Sequence, residues 1–468
     1  MSRINSKDTI CAISTPMGTG GVGIVRMSGT KAMDIANKIF VPVSDNGNGP
    51  DRGYKIRYGK ARDPEDGQII DEVLLTVMRA PKTYTREDVV EINCHAGPVV
   101  LKKILMTLVA LGARLADPGE FTLRAFLNGR IDLAQAEAVM TLVSAKTEAA
   151  LRSAVQQLSG EFSEKIGKIK SDLIHILSEV EAAIDFPEED LDLIKPDVLI
   201  KKLMDLIEEV GRLIESAKQG KILIEGIATA IVGKANVGKS SLLNRLLMED
   251  RAIVTPFPGT TRDVIEAMLN IHGILLRIQD TAGIRESGNL IEQEGIKRSR
   301  ESIQKADLVL MVMDGSKEPD DEDVRIARML TDKDTVLILN KMDLVDKKEQ
   351  KCNNLSIIDI IRPKIILNTS ILYDLGVNEL KTGIAELFFQ GKRGHDESPV
   401  VTNVRHVSAL NSAEEALQRV LQGAGQGLSE EFLSVDLRGA LAALGQITGE
   451  TTTDDILNEI FSGFCVGK

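Results

Sequence analysis

The sequence predicts a multidomain chain that combines an α+β N-terminal part, an all-α helical bundle and an α/β unit built around a phosphate-binding loop. Three observations predict it. Residues 1–118 alternate short β-branched runs with turns and single helical segments; apolar stripes at helical spacing flank the middle of the chain; and within 221–385 strand-like runs lead directly into polar motifs. A chain of 468 residues has room for roughly three domains with cores of their own. The expected division is 1–118, 119–220, 221–385 and 386–468, with the second and fourth segments forming one bundle into which the third is inserted.

In the N-terminal part, 8–14 and 23–28 read as strands flanking a glycine-rich turn, and 31–40 reads as a helix. Residues 73–77 and 89–92 are strand-like, and 98–111 is a helix. The turn matches GxGxxG at 18–23, but a dinucleotide site needs a helix directly afterwards, and the β-branched run at 22–25 opposes one. From Pro118 the pattern turns helical: Leu133, Ala136, Val139, Met140 and Val143 form one stripe. Ile166, Ile169, Leu173, Ile176, Leu177 and Val180 form the next. Pro187 interrupts, and Leu199, Leu203, Leu206, Ile207, Val210 and Leu213 continue. Such stripes are read as bundle core. A charged linker at 391–398 precedes renewed helical periodicity from 407 onward.

Composition narrows the class. Apolar residues make up 43% and charged residues 27%, as in ordinary globular proteins. No apolar run approaches the roughly 20 residues of a membrane span, and no signal-like N-terminus is present, so a cytoplasmic protein without membrane attachment is expected. Cys11, Cys94, Cys352 and Cys465 are scattered without a CxxC pair, which fits a reducing compartment and opposes a disulfide framework or zinc site. A net charge of −12 opposes a large nucleic-acid surface while leaving room for a local basic patch.

The chemistry lies in four ordered motifs. The run GKANVGKS at 233–240 follows the apolar 227–232 and precedes a helical 241–247, which is the setting a P-loop requires. Its backbone N–H groups, from Asn236 through Val237, Gly238, Lys239, Ser240 and Ser241, would wrap phosphate oxygens at a helix N-terminus. Lys239 would reach the terminal phosphates and Ser240 would ligate Mg²⁺. Thr261, in GTTRD at 259–263, would give Mg²⁺ a second hydroxyl. In the DTAG run, Asp280 would face Mg²⁺ through water, Thr281 and Ala282 continue the turn, and Gly283 would turn its N–H to the γ-phosphate. In NKMD at 340–343, the Asp343 carboxylate accepts both guanine N–H groups, Asn340 meets the N7 edge, and the Lys341 stem lies along the ring. The expectation is a GTP-binding domain of Ras-like type. After DTAG, where Ras-like enzymes carry a water-orienting glutamine, this chain has Ile284, so another group must do that work; Arg262 and Arg285 are the nearby cations.

Over essentially its whole length the chain resembles the MnmE (TrmE) family of tRNA-modification GTPases, within the TrmE-Era-like GTPases. The segments that carry the resemblance are Thr15 and Pro16 with GGVGI at 20–24, PGEF at 118–121 with RAFLN at 124–128, and DLAQAE at 132–137. GKSSLLN at 238–244 and the terminal IFS and FCVGK at 460–468 complete them. The GTPase motifs alone do not separate it from ribosome-assembly GTPases; PGEF and the CVGK tail do.

The resemblance implies a homodimer acting with an FAD-dependent partner, MnmG (GidA), in a heterotetramer or larger assembly. Together they would place an aminomethyl or carboxymethylaminomethyl group on carbon five of the tRNA wobble uridine, the one-carbon unit coming from 5-formyl- or methylene-tetrahydrofolate. It puts the folate contacts on Arg26, Glu91, Arg130 and Lys468, within an N-terminal folate-binding and dimerisation domain. Arg130 stands where the family often has lysine, a change of donor geometry. Cys465 becomes a candidate nucleophile. In place of the glutamine and an arginine finger, the resemblance implies K⁺ held by Asn236 and by carbonyls of Thr255, Phe257 and Thr260, with Glu292 positioning water and two GTPase domains closing on each other. Ser370, followed by Ile371 and Leu372 rather than the usual Ser-Ala pair, is the last guanine motif. The alternative reading is an RNA-binding switch of the ribosome-assembly type without folate chemistry.

Overall fold

The computed structural model describes residues 8–43, 54–185, 196–250, 267–279, 300–345, 355–389 and 401–468. The chain divides into two compact units, one formed by residues 1–140, 158–174 and 438–468, the other by 141–157 and 175–437.

The first unit is built on a seven-stranded sheet of β1 (Ile10–Ile13), β2 (Gly20–Ser28), β3 (Phe40–Pro42), β4 (Lys55–Arg62), β5 (Ile69–Met78), β6 (Val89–Ala96) and β7 (Arg114–Leu115). Their order is β3-β4-β5-β6-β2-β1-β7, antiparallel except where β1 meets β7. Strand alternation separates its faces. Val25, Ile92 and Leu75 pair across the sheet and are buried under the helices Ala32–Ile39 and Pro98–Ala110. On the other face Arg26, Glu91, Thr76 and Ile56 form one registered row, and Ile24, Asn93, Leu74 and Tyr58 the next. The glycine-rich turn runs into β2 through a bulge between Gly20 and Gly23, so a strand occupies the place where a dinucleotide motif needs its helix. Strands β3, β4 and β7 were not expected. β4 hides its character because only Gly59 and Ala61 are buried, and a Cβ at Gly59 would run into the Phe40 ring and the Val41 carbonyl.

A charged knot fastens β1 and β7 to the helix Glu120–Leu127. Arg124, 3% exposed at its side chain, donates to Glu120 at 2.9 Å, Glu87 at 3.2 Å and Asp8 at 2.5 Å. Arg114 reaches Glu120 at 2.6 Å and Asp8 at 2.8 Å. The same helix meets the end of the chain: Phe461 and Phe464, their rings 5.3 Å apart, pack with Leu123, Ala125, Leu133 and Ala136.

The second unit holds a six-stranded sheet of β8 (Ile227–Val232), β9 (Ala267–Ile271), β10 (Ile274–Ile278), β11 (Leu308–Asp314), β12 (Asp334–Asn340) and β13 (Ile365–Asn368). The order is β13-β12-β11-β8-β10-β9, parallel except for the β9–β10 hairpin. Helices cover both faces, Lys239–Asp250 and Val377–Phe389 on one, Asp321–Arg328 and Leu355–Ile361 on the other. Also in this unit, Pro196–Glu225 packs along Val404–Gly425, burying Leu199, Leu203, Leu206, Val210 and Leu213, with Ile207 half-buried. Close approach is enforced at Gly220, where a Cβ would strike the Val401 carbonyl. The α+β, all-α and α/β parts expected from the sequence are all present. Among the described residues no helix is long and apolar enough to cross a membrane.

The charged knot makes the first unit acid-sensitive. Burial pushes the Asp8 and Glu120 carboxyls up, but Arg114 and Arg124 outweigh it and hold them below 3.8 and 4.5. Their stabilisation is therefore complete above about pH 4.5 and is lost as pH falls through the depressed folded values. Arg124→Met, which strands buried carboxylates, is expected to cost about 3–5 kcal/mol. Chemical denaturation at pH 7 should read that loss, and the variant should lose less further stability on acidification than the parent. Equal denaturation midpoints at pH 7 would show that the knot contributes nothing.

Candidate functional site

In the second unit, β8 lies between β10 and β11, where connections leave the sheet in opposite directions, and the loop after it opens at the strands' carboxyl ends. Three residues of that loop have left-handed backbone: Gly233 at φ 144°, Asn236 at 62° and Gly238 at 110°. Glycine is required at the outer two, because a Cβ on Gly233 would meet the Val312 carbonyl and one on Gly238 the Asn340 amide. Asparagine tolerates the middle one. The alternation curls the loop into a concave nest at the N-terminus of Lys239–Asp250, fit for phosphate oxygens. Ser240 and Ser241 are exposed on that helix's first turn. The Lys239 ammonium is bound by the carbonyls of Gly233 at 2.7 Å and Lys234 at 2.5 Å. Burial draws its pKa below the usual lysine value, with Glu322 pulling the other way.

The side expected from the sequence to meet a base is assembled from β12 and the loop after β13. Asn340 is buried at the end of β12; its amide donates to the Val237 carbonyl at 2.8 Å, and its oxygen accepts from Ile371 N–H at 3.2 Å and the Thr369 hydroxyl at 3.4 Å. The sequence reading gave Asn340 only a base edge; the structure makes it the tie between the phosphate loop and the loop at 369–371. One amide N–H remains for a ligand. Asp343 is exposed, its Oδ1 accepting from Ser370 Oγ at 2.5 Å. Lys341, at φ 64°, donates to Asp314 at 2.8 Å. The unusual Ile371 and Leu372 leave this loop closed, with Ser370 and Leu375 exchanging backbone bonds of 3.0 Å. Arg245, on the phosphate-loop helix, clasps Asp374 at 2.8 and 2.5 Å, a support the sequence reading missed.

In the first unit, four of the residues singled out from sequence gather at one place. Arg26 Nε meets Glu91 at 2.7 Å, and its Nη1 donates to the Gly467 carbonyl at 3.2 Å, which Ser14 Oγ also meets at 3.2 Å. The guanidinium stands 5.7 Å from the Phe121 ring centre. Burial lowers the Lys468 pKa, Cys465 opposes the shift and Arg26 adds to it, so all three share one field. Cys465 is exposed. A cation and a carboxylate are groups a polar heterocycle with an acidic tail would need, and the fully buried Phe121 supports the cation from beneath. The Arg130 guanidinium lies 4.6 Å over the Tyr84 ring; Tyr84 packs against the buried group that includes Phe121 and bonds the Thr122 hydroxyl at 2.9 Å.

Thr255, Phe257, Thr260, Thr261, Asp280, Thr281, Ala282, Gly283 and Glu292 lie outside the described residues. Among those described, no group of His, Cys, Asp and Glu side chains is arranged to hold a metal. The nest gives a direct prediction. Gly238→Ala drives a methyl into the Asn340 amide at a φ costly for alanine, and should weaken a fluorescent guanine nucleotide by about tenfold or more in equilibrium titration. Unchanged affinity would mean that the nest is not the phosphate cradle.

Comparison with known proteins covers the whole chain. Residues 133–465 match the family described as MnmE helical domain, and 9–130 the family described as GTP-binding protein TrmE N-terminus. The chain is similar to tRNA modification GTPase MnmE of Alkaliphilus oremlandii (strain OhILAs), 46% identical over 461 residues, covering 98% of this chain and 99% of that one. It is equally similar to tRNA modification GTPase MnmE of Acetivibrio thermocellus, 46% identical over 462 residues and 99% of each chain. With both family matches and full-length identity agreeing, this chain belongs to the family of tRNA modification GTPase MnmE.

Proposed function

We propose that this protein hydrolyses GTP and couples the hydrolysis to modification of tRNA at carbon five of the wobble uridine. The observation that carries the reading is the Asn340 tie, which sets a phosphate nest and the Asp343–Ser370 base reader on one scaffold. Lys239 and Gly283 would meet the terminal phosphate, and Glu292 would position water. Ser240 and Thr261 would hold Mg²⁺; Asn236, Thr255, Phe257 and Thr260 would hold K⁺. When bound, these ions would supply positive charge against the phosphates, a role that suits a chain with Ile284 in place of a polar residue.

The first unit is proposed to bind a tetrahydrofolate that supplies the one-carbon unit, through Arg26, Glu91 and Lys468, with Cys465 beside them. The pairing of Arg26 with Glu91 supports this. Arg130, stacked on Tyr84, would contribute a further cation. The open sheet face, with exposed Ile56, Tyr58 and Leu74 in registered rows, supports the homodimer. An FAD-dependent MnmG as partner and a cytoplasmic setting are parts of the same proposal.

Steady-state GTP hydrolysis in K⁺ against Na⁺ at equal ionic strength, with ATP as control, tests the catalytic reading. Faster turnover in K⁺ and inertness toward ATP are expected; equal slow rates would return Arg262, Arg285 or an external activator to the role. Asp343→Asn should weaken GTP by about 3 kcal/mol, roughly a hundredfold, since an amide cannot accept both guanine N–H groups. Titration with 5-formyl-tetrahydrofolate should show binding that Arg26→Ala reduces. No binding to the parent would favour a nucleotide switch acting on RNA without folate.

A further inference from the structure

We propose that Lys234 is a positioning residue for the phosphate loop, its side chain anchoring the shoulder whose carbonyl holds Lys239. The inference rests on the GTP-hydrolase reading and adds to it a residue outside the phosphate-contacting set.

The loop is fixed at its two ends by different means. On the entry side, β8 pairs with β11 up to Val232 and Met311, and Gly233 abuts the Val312 carbonyl. On the exit side, Val237 is buried and its carbonyl accepts the Asn340 amide. Between them stand Lys234, Ala235 and Asn236, of which the last two are exposed. The Lys234 side chain reaches across to the start of the helix Asp321–Arg328, placing its ammonium 2.7 Å from Asp320 and 2.7 Å from Asp323.

Those carboxylates are themselves tied into the helix cap. Asp320 caps the helix, accepting from the backbone N–H of Glu322 at 3.0 Å and of Asp323 at 3.2 Å, and Asp323 returns the bond to Asp320 N–H at 3.1 Å. Asp323 is 4% exposed at its side chain, and its second oxygen is buried without a hydrogen-bond partner. A buried carboxylate in that condition depends on its counter-cation, so Lys234 is held at its post. Burial of Lys234 pulls its pKa down, but Asp320 and Asp323 outweigh this and keep it charged.

The simpler account is that this ion pair only stabilises the helix cap. What argues for more is that Lys234 is engaged at both ends. Its carbonyl, with that of Gly233, binds the Lys239 ammonium, while its own ammonium is clasped by the helix. The ammonium has three donors, so the two carbonyls leave one N–H for a phosphate, and the position of the shoulder sets where that donor points. With the shoulder anchored, Lys239 is held in the geometry prepared for the triphosphate; without the anchor, the shoulder and the lysine shift together and the nest loses it. The expected signature is in nucleotide affinity.

Full-length protein carrying Lys234→Met should bind GTP about tenfold more weakly and raise KM by a similar factor, with a smaller change in kcat. Lys234→Arg, which can span both carboxylates, should restore most of the affinity. Asp320→Asn leaves the buried Asp323 pair in place and serves if the methionine variant fails to fold; it should weaken GTP in the same direction. A role confined to the cap would lower the thermal midpoint and leave KM and affinity unmoved. Folded variants with parental KM overturn the inference, whereas a parent protein that fails to bind GTP overturns the function it rests on.

Discussion

The second unit depends on a single buried amide. Asn340 is the end of one strand, the ceiling of the phosphate loop and the floor of the base-side loop, with both of its polar atoms committed to backbone groups of other segments. An amide in that position is favourable only when every partner is present, because an unmet buried donor or acceptor costs about 1–3 kcal/mol. The glycine at 238 is therefore dictated from outside its own loop: the amide occupies the space a side chain would take. The proposed phosphate cradle and base reader are thus one object, and the Arg245–Asp374 pair ties the helix after the phosphate loop to the base-side loop as well.

The first unit reaches comparable order by other means. Its sheet is closed on one face by apolar helices and tied at one edge by two arginines and three carboxylates. Charge in the interior is expensive unless matched, and here Arg124 and Glu120 answer each other with Asp8 and Glu87 beside them, only the Arg124 Nε among its nitrogens lacking an acceptor. The reward is specificity of placement. The helix Glu120–Leu127 is held at the orientation that sets Phe121 beneath Arg26.

How much of this was legible in the sequence follows from how local each signal is. The phosphate loop, its strand and its helix were readable because glycine spacing and apolar runs encode them within a dozen or so residues. The bundle helices were readable from stripes such as Leu199 to Leu213, since burial repeats along one face. β4 was not, because Lys55, Arg57 and Lys60 break the apolar alternation and only Gly59 and Ala61 face inward. Pairings between distant segments were invisible: nothing around Lys234 announces Asp320, and nothing around Arg245 announces Asp374. Arg130 shows the converse, a residue assigned by resemblance whose contact with the Tyr84 ring no local pattern announced.

The docking of Phe461, Phe464 and Gly467 into the first unit has a consequence for how the molecule comes into being. Residues 141–157 and 175–437 form the second unit, whereas the first draws on residues from 8 to 468. During vectorial synthesis the nucleotide-binding unit is therefore whole while the earlier-made sheet still awaits its last partners. The sheet made early is completed by residues made after the whole of the second unit, and the contact of Arg26 with Gly467 forms only then.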